Sequence, residues 1–314
     1  MILATAEDNP RGGKKMTLSE FRALLESDKV IDIILDTDTY NEIDDQYALA
    51  YAMLSKKKIN LLSVNAAPFY NSRSSSAEEG MEKSYNEIFN IMKLTDAEMA
   101  EQVPVYRGST RFMTSKTDIV ESDACDNIIN TVMSRETPVV IVAIGAITNV
   151  ASALAKEPEI AKRSAVIWLG GHALERPDTK EFNLRQDIPG AQVLFDSHIP
   201  FLQIPCDGVC SSFITTPAEL DYYLKGKNEL CNYLCSITGD YISWGYGRSK
   251  VVWDVTAIGC MTLPSSMEIV EIPRPYVTSD CRYAFDSARH HFLYVRKIRR
   301  DPLYADLFKT LSEK

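Results

Sequence analysis

Three observations predict an α/β fold with a mostly parallel central sheet flanked by helices. Largely apolar, β-branched runs alternate with amphipathic helical patterns. The runs lack the strict in/out alternation of half-exposed strands, as expected where both faces are covered. Each run then ends in polar or backbone-permissive residues.

Taken in order, Thr17-Leu-Ser-Glu20 has the form of a capping box, and Phe21, Leu24 and Leu25 follow at helical spacing, so a short helix leads in. Strands are expected near Val30 to Leu35, Ile59 to Val64, Val139 to Ile144, Ala165 to Leu169 and Phe201 to Ile204. Between them, Ala48 to Leu54, Glu79 to Met92 and Thr148 to Leu154 read as helices. Beyond Pro217 the signal is helical over Leu220 to Leu224 and Glu229 to Ile242, followed by an aromatic loop holding Tyr241, Trp244, Tyr246 and Arg248. Met267 to Val277 and Phe292 to Ile298 read as late, antiparallel strands before a closing helix near Leu303 to Leu311. No repeat or linker divides the chain, so residues 16–314 are expected to form a single domain behind a poorly ordered leader, 1–15.

The 314 residues are 45% apolar, enough for a sizeable core, and carry a formal charge of −9. That charge argues against sequence-independent nucleic-acid binding, which needs a basic surface, and suits a neutral or cationic small ligand. The basic stretch Arg296-Lys-Ile-Arg-Arg300 is short and reads as a solvated face. Seven cysteines, an odd number, fit a reducing compartment, and neither Cys206/Cys210 nor Cys231/Cys235 has the partners a zinc site needs. No signal-like start and no run of transmembrane length occurs, so a cytoplasmic protein without membrane contact is expected.

The chemistry concentrates where the first apolar run empties into Asp36, Asp38, Asp44 and Asp45. Carboxylates that close together repel, so protons are taken up or a cation sits among them. N-capping of the following helix accounts for one aspartate but not for four, and a hard divalent ion with oxygen ligands is the simpler reading. Asn71, Gly145, Gly170-Gly171 and Asp207 fall at the ends of the other runs, on the rim where such sheets bind ligands. Taken singly, Asn71 and Asp207 are read equally well as ordinary loop polarity.

The segment Asp36-Thr-Asp38 with Asp44-Asp45 and Ala48-Leu49 resembles the Asp-x-Asp-Pro-Gly-x-Asp-Asp signature of the inosine-uridine-preferring nucleoside hydrolases. Further blocks agree in order: Ile144-Gly-Ala-Ile-Thr-Asn149, Leu169-Gly-Gly171, Glu181-Phe-Asn183 and Trp253-Asp254, the last where that family has His-Asp. The resemblance spans about Ile33 to Ala257 and implies a Rossmann-like sheet, a homo-oligomer (dimer or tetramer), and hydrolysis of ribonucleosides to ribose and free base. It implies calcium held by Asp38, Asp45, Asp254 and the carbonyl of Ile144, with Asp38 as general base toward a calcium-bound water. Asp44, Asn71, Glu181 and Asn183 would grip the ribose, Trp253 would meet the base, and Asp36 would stand behind them. Purine, pyrimidine and nicotinamide ribosides all remain possible substrates.

Two departures bear on the chemistry. The turn Thr39-Tyr-Asn-Glu-Ile43 carries two extra positions and must bulge or re-route; Asn41 is able to accept a left-handed backbone there, and Tyr40 either projects toward the ligand or packs beside the rim. Trp253 cannot act as a general acid, so leaving-group activation must differ; stacking on the base and ordinary core packing are both open. His172 reads as a surface residue in preference to one facing the pocket, His198 as structural, His290 and His291 as distant in sequence with one able to fold back over the rim, and Cys206 and Cys210 as small packing groups of which one could line the cavity. Two rival functions remain. Ile34-Leu-Asp36-Thr-Asp38-Thr39 also fits the opening motif of a magnesium-dependent haloacid dehalogenase-like phosphatase, and loss of the histidine leaves room for a nucleoside- or ribose-binding protein with little or no catalysis.

Overall fold

A computed structural model describes residues 15–243 and 246–314. Most of the expected leader and Trp244 lie outside the described residues. The strands, in chain order, are β1 Ile31–Thr37, β2 Ile59–Ala66, β3 Val105–Tyr106, β4 Val139–Ala143, β5 Ser164–Leu169, β6 Phe201–Ile204, β7 Ile214–Thr215, β8 Lys250–Val251, β9 Met267–Pro273, β10 Tyr276–Val277, β11 Tyr283–Ala284 and β12 His291–Ile298.

Eight of them form one sheet in the order β3-β2-β1-β4-β5-β6-β12-β9, parallel except for the edge strand β9, which runs antiparallel to β12. The late antiparallel pair expected from sequence is therefore an extension of the main sheet, joined through a parallel β12–β6 contact. Small antiparallel pairs, β7–β8 and β10–β11, lie beside it.

Helices cover both faces, and the core is split accordingly. Ile31, Ile33 and Leu35 of β1 pack into one apolar cluster and Ile34 into the other, the alternation that a strand imposes on its side chains. The lead-in helix Leu18–Glu26 carries its capping box as read from Thr17 and Glu20. The helix Asp44–Leu54 is buried along nearly its whole length, from Asp44 to Met53.

Strand order reverses between β1 and β4, whose neighbours on the far sides are β2 and β5. That reversal opens a crevice at the carboxyl ends, the place where open parallel sheets take ligands. Asp38 follows β1 directly, Ile144 follows β4 and Gly170 follows β5. Asn41 does not use the left-handed backbone open to it: among described non-glycine residues only Ser243 and Cys281 have positive φ. The extra length is instead closed by a turn in which the Asn41 N–H donates to the Asp38 carbonyl at 2.7 Å.

Candidate active site

A cleft of about 610 Å³ opens over the carboxyl ends of β1, β4, β5 and β6. Its walls include Asp38, Asp44, Ile144, Glu181, Asn183, Trp253 and Asp254, seven of the sequence-derived site residues.

Asp44 and Asp45 open the helix Asp44–Leu54, but the N-cap position is Ile43, so neither is a simple cap. The Thr37 hydroxyl donates to Asp45 Oδ1 at 2.5 Å, and the main-chain N–H of Trp253 donates to Asp44 Oδ2 at 2.9 Å. Asp254 arrives from a segment far along the chain, just before the helix Val255–Thr262. One carboxylate oxygen from each of Asp44, Asp45 and Asp254 lies within 4.8 Å of the others, all three side chains being buried. Beside them stands Asp38, 1% exposed, with neither carboxylate oxygen hydrogen-bonded. A buried carboxylate without a partner is costly. Set among three others, its oxygens suit a hard cation, so the residues present fit a divalent ion.

The electrostatics carry the same message. Burial, then the charges of Asp45 and Asp44, push the Asp38 carboxyl well above the usual range. Burial, then Asp44, Asp45 and Asp38, do the same to Asp254. Asp45 is pushed up to about 7, first by burial and then by Asp44, with the Thr37 hydrogen bond opposing. Asp36, beneath the cluster, is pushed up to about 7 by burial, opposed by the Asn149 amide that donates to it at 2.8 Å. A bound dication reverses this balance by favouring the charged forms.

The sugar-facing candidates are held rigidly. Glu181 accepts from the backbone N–H groups of Gly171 and Leu184 at 2.9 Å and of Asn183 at 2.8 Å. Gly171 has φ +78°, and a Cβ there would meet the Tyr283 hydroxyl at 2.2 Å, so only glycine presents this N–H to Glu181. The Asn183 amide nitrogen donates to the carbonyls of Ile144 and Leu169, each at 3.0 Å. Both of its N–H groups are thus engaged, leaving its oxygen to accept from a ligand. At Gly145 a Cβ would come within 3.0 Å of the Asp38 carboxyl carbon, so glycine leaves the space that carboxylate occupies.

Asn71 does not line the cleft: its amide donates at 2.6 Å to Asn41 Oδ1, and Asn41, from the enlarged turn, takes a place on the wall. Tyr40 packs beside the rim, its ring covered by the Arg73 guanidinium at 4.5 Å. Trp253 is half-buried against the core and also lines the cleft. His172, read as a surface residue, also lines the cleft, as do Cys206 and Asp207. Cys210 is buried and bonds Thr256. His290 stands 4.7 Å from His198, ring to ring, and neither lines the cleft.

Sequence reasoning missed Glu42, Phe182 and Lys250. Glu42 and Phe182 line the cleft. Lys250, only 7% exposed, reaches Glu42 Oε2 at 2.5 Å and Asp44 Oδ1 at 3.6 Å. A lone Lys on a two-residue strand carries no motif, and its partner sits in the turn that departs from the family pattern, so neither was visible from spacing.

The chain is similar over 176 residues, at 26% identity, to the pyrimidine-specific ribonucleoside hydrolase RihB of Escherichia coli O139:H28, a match covering 54% of each protein. Its fold matches a plant nucleoside hydrolase, the PpNRh1 enzyme, with TM-score 0.74 and 17% identity over 91% of this chain and 100% of that one. It also matches a purine-preferring ribonucleoside hydrolase from Gardnerella vaginalis, with TM-score 0.74 and 21% identity over 90% and 98%. Together with a family model that matches residues 33–290, these place the chain in the inosine-uridine preferring nucleoside hydrolase family, a family of N-ribosyl hydrolases.

Proposed function

We propose that this chain hydrolyses the N-glycosidic bond of ribonucleosides to ribose and free base, with calcium held by Asp38, Asp45, Asp254 and the carbonyl of Ile144. The observation that carries the reading is the buried Asp38 carboxylate, unpartnered at both oxygens beside three further buried carboxylates. Calcium accepts such an irregular all-oxygen set readily, whereas magnesium demands stricter geometry. When bound, the ion supplies Lewis acidity that eases the ionisation of water near neutral pH.

The chain's own residues do the rest. Asp38 accepts the proton of the attacking water. Asp44, Glu181 and Asn183 hold the ribose hydroxyls, and Asn71 acts through Asn41, which it fixes on the cleft wall. The carboxylates favour positive charge as it develops on the sugar when the C–N bond breaks. Asp36 supports the site from below, and Trp253 offers an aromatic face to the base. A site built to pair sugar hydroxyls penalises a substrate lacking one, so ribonucleosides should exceed 2′-deoxy analogues. Residues 16–314 would act as one catalytic domain in a cytoplasmic homo-oligomer.

The phosphatase reading loses its second acidic motif, because Gly239-Asp240 lies inside the helix Glu229–Ile242 and not at a strand end. The weakly catalytic binder is favoured by one observation, Trp253 in place of an acid. Release of free ribose from a nucleoside panel, in calcium and then in chelator, separates the readings. No release from any nucleoside defeats the hydrolase, and full activity in chelator defeats the metal mechanism.

A further inference from the structure

Asp44, Asp45 and Asp254 lie close enough together to ligate one ion, yet the proposed function uses Asp44 for the sugar. Charge and reach alone do not separate Asp44 from its neighbours. What does so is its surroundings. Its Oδ2 is taken by the Trp253 N–H at 2.9 Å, and its Oδ1 faces the Lys250 ammonium at 3.6 Å. Among the described residues no such cation reaches Asp45, whose Oδ1 is held by the neutral Thr37 hydroxyl, and the Asp38 carboxylate has no hydrogen-bond partner.

Lys250 is itself held in place. It donates to its neighbour's carbonyl, Val251 O, at 2.7 Å and to Glu42 Oε2 at 2.5 Å, while the Tyr241 hydroxyl donates to Glu42 Oε1 at 2.9 Å. A lysine this buried needs a carboxylate partner to offset its lost hydration. Glu42 is that partner, and it comes from the enlarged turn between Asp38 and Asp44. The Arg73 guanidinium fixes the turn by donating to the Glu42 carbonyl at 3.0 Å. The enlarged turn and the buried lysine thus depend on one another.

We infer that the Glu42–Lys250 ion pair is a positioning device that withholds Asp44 from the metal and reserves it for the substrate's sugar hydroxyls. This rests on the proposed nucleoside hydrolase site and names what divides its carboxylates between two tasks. With the pair removed, Asp44 is free to turn toward the ion, so the metal gains a ligand and the sugar loses one.

The test is calcium binding by titration calorimetry on the chelator-stripped full-length protein. It compares the unsubstituted chain and E42Q/K250M, each with and without Asp44→Asn. Deleting both members of the pair removes one positive and one negative charge, so net charge near the ion is unchanged, and Glu42 leaves no buried charge behind. Circular dichroism confirms folding, and Glu42→Gln with Lys250→Gln serves as a second variant if the first is poorly folded. The expected result is calcium affinity raised about tenfold by deleting the pair, a gain abolished by Asp44→Asn, which has a much smaller effect in the unsubstituted background. Nucleoside KM should rise in E42Q/K250M with kcat less affected. An equal effect of Asp44→Asn in both backgrounds overturns the inference while leaving the metal site standing. Absence of calcium binding by the unsubstituted chain overturns the metal reading itself.

Discussion

The side-chain amide of Asn183 donates to the main-chain carbonyl of Ile144 at 3.0 Å, tying the Glu-Phe-Asn segment to the end of β4. One residue thereby orients a proposed metal-binding carbonyl and presents its own oxygen to the proposed sugar site. Asn183→Ala should therefore impair both functions. We expect kcat/KM to fall by about 10²-fold or more, with calcium affinity also reduced, since groups that orient a ligand typically cost 10–100-fold in affinity. Unchanged calcium affinity in the variant would confine Asn183 to the sugar.

Asp38 presents the opposite case, a proposed general base that the fold does not need. Both carboxylate oxygens are buried without partners, so without metal this side chain destabilises the native state. Asp38→Asn keeps the shape and removes the charge. Turnover should drop by about 10²–10⁴-fold, the range for loss of a general base. In chelator, thermal denaturation should show the variant at least as stable as the parent, the trade expected at an active site. A variant clearly less stable than the parent in chelator would mean that Asp38 has a structural partner after all.

How much of this was legible in the sequence depends on how local the signal is. The five predicted parallel strands appear with their boundaries within two residues, because doubly buried strands are written as apolar runs. Glu229–Ile242 is found where its pattern begins and ends. The aspartates were legible as candidates because four of them crowd the end of one apolar run, and Glu181 and Asn183 because their block matches the family's in order and internal spacing. The conformation of Asn41 was not legible because turn length alone does not specify which backbone angles absorb an insertion. Lys250 escaped, and His172 was left between surface and pocket, for a different reason: their meaning arises from contacts across the sheet, with Glu42 and Asp44 and with Asp207 respectively. Strands as short as β3, β7 and β8 carry too few residues for any periodicity.

Trp253 contributes its backbone N–H to Asp44 and its ring to the cleft, and substitution separates the two, since any residue but proline keeps the N–H. If the ring stacks on the base, Trp253→Phe should retain activity within about threefold and Trp253→Ala should lose about 10–100-fold in kcat/KM, the worth of one aromatic stacking contact. A riboside whose leaving group has no aromatic ring should be much less sensitive to the alanine change. Equal losses for both substrate types would return Trp253 to the role of packing residue.

The last prediction concerns pH. Burial and mutual repulsion raise the carboxyls of Asp38, Asp45 and Asp254 above their unfolded values, Asp45 to about 7. A carboxyl raised on folding binds its proton more tightly in the native state, so the native state holds more protons than the unfolded chain between the two pKa values. Stability from these groups is present below about pH 4, where both states are protonated, and is lost as pH rises through their raised folded values, about 7 for Asp45. The chelated protein should therefore melt at progressively lower temperature from pH 5 to pH 8. Calcium binds the deprotonated cluster, so its stabilising effect should be small at pH 5 and large at pH 8, with protons released on binding. Thermal melts across that range, with calcium and with chelator, check both statements. A calcium effect that shrinks as pH rises would show that the bound ion does not meet these carboxylates.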